Sequence, residues 1–200
     1  MTTSRDLLMV TIERAPGRPV EQGDVSLALA GAELIDLLDT QAIELVGEHI
    51  VPIHHPATGD RLLEEAVASL VRQEPYESVG DWLWRRGLGL FSRYLAALEA
   101  DEQLTREGRR RLLRTGRTVL ADSPAHREAT KRWASGDTVL AALAAAAGVH
   151  GEQTDESAVL ADNAVATVLA EVDAAVAELG LLRLKQTIEG AAFDNIWRGG

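Results

Sequence analysis

Within Thr105–Thr118 six arginines, at positions 106, 109, 110, 111, 114 and 117, stand against a single acid, Glu107. Guanidinium groups at this density suit phosphates, because each presents a planar fork of donors that engages two oxygens at once. Leu112 and Leu113 sit in the middle of the run. A hairpin with that pair at its tip matches an anionic membrane surface: arginines meet headgroups while leucines enter the acyl boundary. Each basic residue near such a surface is worth about 1 kcal/mol. Arg109, Arg110, Arg111, Leu112, Leu113, Arg114 and Arg117 are therefore the candidate lipid-binding set. A second reading stands beside it, in which the same arginines form a solvated face or pair with acids of this chain or a neighbour.

Catalytic chemistry finds little support. Gly87-Leu-Gly89 lacks the third glycine of a dinucleotide loop, and Gly116-Arg117-Thr118 has arginine where a phosphate loop needs lysine. There is no Gly-x-Ser-x-Gly elbow and no His-Glu-x-x-His pair. His54-His55 falls in a polar loop, where adjacent histidines point apart. Glu64-Glu65 reads as the wet side of an amphipathic helix. No catalytic residue, metal site or cofactor is expected.

The elements that must position the arginines follow from periodicity and turn chemistry. Asp6–Ile12 is a short apolar run closed by Ala15-Pro16-Gly17-Arg18-Pro19. Asp24 is placed to cap a helix ending near Asp39-Thr40, and Ala42–Ile53 reads as a β-hairpin. Asp60 is the expected N-cap of a helix with Leu62, Leu63, Ala66, Val67, Leu70 and Val71 on one face, broken by Pro75. Ser78 caps the next, with a bend at Gly87 and Gly89. Gly108–Ala121 suggests a second, basic hairpin with Leu112, Leu113, Val119 and Leu120 as its apolar members. Ser123-Pro124 opens a helix to about Trp133, and Asp137 caps Thr138–Ala147. Ala158–Leu182 is a long amphipathic helix, followed by a separate last helix with Ile188, Phe193 and Trp197. Of the four tryptophans most are expected in the core. The fold class is mainly α: a single compact helical domain over 1–200 with two short β-hairpins, one protruding and basic.

Composition bounds the partners. The 200 residues are 46% hydrophobic and only 4% aromatic, with no cysteine, which excludes disulfides and thiolate chemistry and fits a cytoplasmic chain. No apolar run approaches the ~20 residues of a membrane span. The net charge of −11 argues against bulk nucleic-acid binding. A winged-helix role for the hairpin Ala42–Ile53 is weak, since it carries Glu44 and Glu48 and no Arg or Lys. Charge is nevertheless polarised. Residues 85–132 hold 12 basic against six acidic residues, a net of +6, which leaves −17 for the rest. From Trp133 to Leu182 there are eight acidic residues and no basic one, so copies of the chain carry complementary surfaces.

Several blocks together resemble the Golgi phosphoprotein 3 family, in particular its actinobacterial members. They are Asp6-Leu7-Leu8, Leu27–Leu37, Thr58–Ala66, Pro75–Trp82, Leu104-Thr105-Arg106-Glu107 with Leu112-Leu113, and Asp194-Asn195-Ile196-Trp197. The resemblance implies a mostly helical domain with a protruding hydrophobic hairpin that serves membrane attachment and oligomer formation. For eukaryotic members it also implies recognition of phosphatidylinositol 4-phosphate and retention of glycosyltransferases in the Golgi. In a gapless register the family's lipid-pocket positions fall at Glu21, Ala30, Leu88 and Phe91, with Arg85, Arg86 and Arg93 nearby as candidate headgroup ligands. The expectation is a non-enzymatic peripheral protein that binds anionic phospholipid, oligomerises with itself and does not bind nucleic acid, on the inner face of the membrane. The alternative is a soluble helical scaffold using the hairpin for self-association or protein partners.

Overall fold

The computed structural model describes residues 2–14, 21–54, 58–107, 117–149 and 162–198; for 105–107, 117–118 and 190–198 it describes the backbone alone. Eight helices and two two-stranded antiparallel sheets make up these residues. The order is α1 (Thr3–Arg14), α2 (Gln22–Asp39), β1 (Ile43–Val46), β2 (His49–Pro52), α3 (Arg61–Ala68), α4 (Val79–Gly87) and α5 (Leu90–Ala100). Then follow β3 (Leu104–Glu107), β4 (Arg117–Leu120), α6 (Pro124–Ala134), α7 (Thr138–Ala146) and α8 (Asn163–Arg198). The mainly helical class with hairpins is what composition and periodicity imply.

Helix α2 is the axis of the packing. Its residues from Val25 to Leu37 are all buried, as a sequence with apolar residues on every side of the helix implies, Ser26, Glu33 and Asp36 being the polar ones among them. α1, α3, α4, α5, α7 and α8 all pack against it. Gly31 marks the closest approach: a Cβ there would stand 2.4 Å from Val172 Cγ2 of α8. Trp82 is fully buried, and its indole N–H donates to Ala30 O of α2 at 3.2 Å.

Burying a helix all round also buries its acids, and the fold must supply donors for them. Asp36 accepts from Thr3 N (2.8 Å), Ser4 N (3.3 Å) and Ser4 Oγ (2.9 Å), which ties the N-terminus of α1 to α2. Burial nonetheless pushes the Asp36 carboxyl above its ordinary value, against the pull of those hydrogen bonds. Asp6 is likewise raised by burial, although Arg132 reaches it at 3.1 Å.

Local signals fix most boundaries. Asp60, Ser78, Ser123 and Asp137 each cap a helix through a side-chain oxygen that accepts a backbone N–H, as their types and positions imply. Asp24 does not cap α2: Glu21 stands at the N-cap, and Asp24 lies a turn inside, paired with Arg183 at 2.7 Å. α3 stops at Ala68, so Leu70 is buried from outside the helix while Val71 is exposed. The run Asp6–Ile12 belongs to helix α1. The expected break after Leu182 is absent, and α8 continues through Gly180 to Arg198. A helical glycine costs only about 1 kcal/mol relative to alanine, too little to end a helix that no proline interrupts.

Replacing Asp36 with Ala strands three buried donors and should destabilise the protein by about 1–3 kcal/mol in urea unfolding. The raised carboxyl sets the sign of the pH dependence. Its contribution is fully present below the unfolded value and is lost as pH rises through the folded one. The gap between parent and Asp36→Ala should therefore be wider near pH ~4 than near pH ~7.

Candidate functional site

The second hairpin is a ladder rooted in the core. Leu104 pairs with Leu120, Thr105 with Val119, Arg106 with Thr118 and Glu107 with Arg117. Leu120 is buried, Leu104 packs against the same core, and Ala121 N donates to Gln103 O below the last pair. β4 lies against α1 and β3 against α5. The strands thus bring Glu107 and Arg117 side by side at the far end from the root, with the basic residues 109–114 joining them. Of the candidate lipid-binding set, Arg109, Arg110, Arg111, Leu112, Leu113 and Arg114 lie outside the described residues, and for Arg117 the backbone alone is described. The first strand starts four residues before the Gly108 that charge and turn chemistry suggested. Leu104 is the apolar residue that this reading missed, and its pairing with Leu120 sets the register.

The other three candidate arginines all have acidic partners. Arg86 is buried on α4, and its Nε and Nη2 donate to Glu33 Oε2 and Oε1 at 2.7 and 2.8 Å. Its Nη2 also donates to Leu62 O at 2.9 Å, and Tyr94 O–H donates to Glu33 Oε1 at 3.1 Å. Burial pushes the Glu33 carboxyl up, while Arg86 and Tyr94 pull it down; the Tyr94 hydroxyl is itself pushed well above its ordinary value by burial. Arg85, one residue before it, points elsewhere: it grips Glu77 through Nε (2.6 Å) and Nη2 (2.7 Å) and lies 5.1 Å over the Trp82 ring. Arg93 pairs with Glu65 on α3. Arg86 is a structural cation joining α2, α3 and α4. Arg85 and Arg93 are half-exposed, each already engaged by a carboxylate.

A groove of about 290 Å³ opens between the N-terminal end of α2 and the turn from α4 to α5. Gln22, Gly23, Ser26, Trp84, Leu88 and Phe91 are among its walls, with Leu179 reaching in from α8. Two glycines shape it. Gly89 takes φ +70° at the N-cap of α5, a left-handed turn that side chains disfavour. At Gly87 an added Cβ would stand 3.3 Å from Ser26 O, so α4 crosses α2 at close range. Ser26 Oγ then accepts the Phe91 N–H at 3.1 Å. Between the glycines Leu88 is 87% exposed. Among the described residues no arginine or lysine lines this groove.

Three of the four positions marked by the family register meet here: Leu88 and Phe91 in the wall, and Glu21 adjoining Gln22. Ala30, the fourth, is wholly buried beneath. Glu21 is exposed and approaches Arg183 at 3.9 Å. Arg183, the cation nearest this end of the groove, is engaged by Asp24 at 2.7 Å and approached by Glu21, so its charge is met within the chain.

A mainly helical body that roots an arginine-rich hairpin, with an apolar groove at the α4–α5 turn, defines the class of protein. The family model described as Golgi phosphoprotein 3 (GPP34) matches residues 4–183, and the chain belongs to that family. Comparison with curated proteins gave no match. Among the described residues no helix is long and apolar enough to cross a membrane.

The Glu33–Arg86 pair yields a test of Arg86's role. Glu33→Gln should cost about 3–5 kcal/mol in stability, because it leaves a buried guanidinium without its counter-charge. Glu33→Leu combined with Arg86→Met should be less destabilised than either single variant. The folded double variant should bind lipid vesicles as the parent does; a selective loss of binding would assign Arg86 a role in ligand recognition.

Proposed function

We propose that this chain is a non-enzymatic peripheral membrane protein, and that it binds anionic lipid surfaces through the hairpin closed by residues 108–116. One observation carries the reading: Arg85, Arg86 and Arg93 are engaged by Glu77, Glu33 and Glu65. The connection between the far ends of β3 and β4, residues 108–116, carries arginines 109, 110, 111 and 114 in its sequence and no acid. Membership of a family whose eukaryotic members bind phosphatidylinositol 4-phosphate supports a lipid target. The apolar groove and the acid at Glu21 argue for a different basis of recognition, in which total negative charge matters more than headgroup identity. Attraction of this kind is long-ranged but screened, with a Debye length of about 8 Å at physiological salt. Leu112 and Leu113 would then supply the part of the affinity that salt does not remove, about 1.5–3 kcal/mol for each leucine buried.

Vesicle flotation tests the reading. The parent should float with phosphatidylglycerol vesicles and with phosphatidylinositol 4-phosphate vesicles of equal charge to the same extent, and less as salt rises. Arg110→Ser, Arg111→Ser and Arg114→Ser together should weaken binding mainly at low salt. Leu112→Ser with Leu113→Ser should weaken it at low and high salt alike, with thermal stability unchanged. A strong preference for phosphatidylinositol 4-phosphate at equal charge would overturn the charge-only basis. Full binding by both variants would overturn the role of the hairpin.

A further inference from the structure

Helix α8 continues to Arg198, beyond the family match that ends at 183, and its exposed face carries an ordered apolar stripe. Val165, Val168, Val172 and Ala175 bury one side of it against the body. On the opposite side Ala170, Ala174, Ala177, Leu181, Leu184 and Ile188 are all exposed and fall within an arc of about 80°. Their spacing alternates between four and three residues, the seam of a two-helix coiled coil. The large members are strongly exposed: Leu181 68%, Leu184 56% and Ile188 60%. From 184 to 189 every residue is exposed, so the helix leaves the body there. Isolated helices shorter than ~12–15 residues are marginal in water, and this one turns its apolar stripe to solvent.

The stripe is graded, small residues towards the N-terminus and large ones towards the C-terminus. We infer that α8 pairs antiparallel with α8 of a second copy of this chain, each copy's Ile188 filling the space over Ala177 of the other. In that register Leu181 faces Leu184 of the second copy. The flanking charges agree: Glu178 of one copy comes beside Lys185 of the other, twice by symmetry. A single sign of charge at both positions would oppose the pairing. The helix as a whole carries five acids and three bases, which disfavours an anionic membrane as the occupant of the stripe.

The charges permit a test that leaves the fold untouched, because both side chains project into solvent. The parent should sediment as a dimer at micromolar concentration. Glu178→Lys alone and Lys185→Glu alone should each weaken self-association about tenfold, since each sets like charges together at both flanks. An equimolar mixture of the two variants restores both pairs and should dimerise as the parent does. Leu184→Ser with Ile188→Ser should be monomeric, with unchanged helix content per residue in α1–α7. A monomeric parent, or no recovery in the mixture, would overturn the pairing. So would a dimer that dissolves on Arg110→Ser, Arg111→Ser, Arg114→Ser and survives the α8 variants, since the basic hairpin would then hold the copies together. Loss of vesicle flotation in the Leu184→Ser, Ile188→Ser variant of a monomeric parent would assign the stripe to lipid instead.

Discussion

The interaction on which the rest depends is the buried contact of Glu33 with Arg86. Helix α2 can serve as the axis of the fold only if its whole circumference is dry, and a dry glutamate is tolerable only with its hydrogen bonds filled. Arg86 fills them in bidentate fashion and gives a second Nη2 donor to Leu62 O, so one guanidinium fixes α4 and α3 against α2. Tyr94 adds α5 to the same carboxylate. Four helices thus share one charge pair. Apolar burial supplies most of the driving force, but it is indifferent to small rotations. The directional bonds at Glu33 hold the turn between α4 and α5, and with it the groove beside Leu88, in one position.

That division of labour explains why arginines close together in sequence have different physical roles. Arg85 and Arg86 are adjacent on a helix, so their side chains leave it about 100° apart. One turns into the core and the other to the surface at Glu77. Counting cations in a window overstates the positive charge the molecule presents, because each inward or paired guanidinium is cancelled nearby. Residues 109–114 lie outside the described residues; in the sequence Glu107 is the sole acid of the run, and the ladder sets its backbone opposite Arg117.

Much of this was legible in the chain. Asp60, Ser78, Ser123 and Asp137 announce helix starts because a cap is a local bond over two or three residues, and the structure fills each as expected. The β1–β2 hairpin is equally local. Arg86 was half legible: it continues the Val79, Trp82 and Leu83 face of α4 at helical spacing, which marks it as inward, but its partner lies 53 residues away and no local pattern names it. The start of β3 was obscured for a related reason: the cations drew the boundary towards Gly108, whereas the register is set by Leu104 against Leu120. The signal for the groove was present in the two glycines flanking Leu88. An apolar residue held between Gly87 and Gly89 ends one helix and begins another without room to bury itself.

Gly180 shows how a local rule fails when its magnitude is ignored. Ending the helix at Leu182, two residues past this glycine, splits α8 in two and hides the stripe, because Ala170, Ala174, Ala177 and Leu181 fall in one helix and Ile188 in the next. A glycine weakens a helix by about 1 kcal/mol, whereas the buried valines of the first half hold α8 in place through several apolar contacts. The helix therefore propagates through the glycine, each further residue adding a hydrogen bond to a nucleus already formed. Continuity sets the phase between the halves. With the body-facing valines fixed, the exposed face of the second half is determined by helical geometry alone. That face brings the leucines and Ile188 into line with the alanines, which places large side chains and the spaces that receive them on one straight seam.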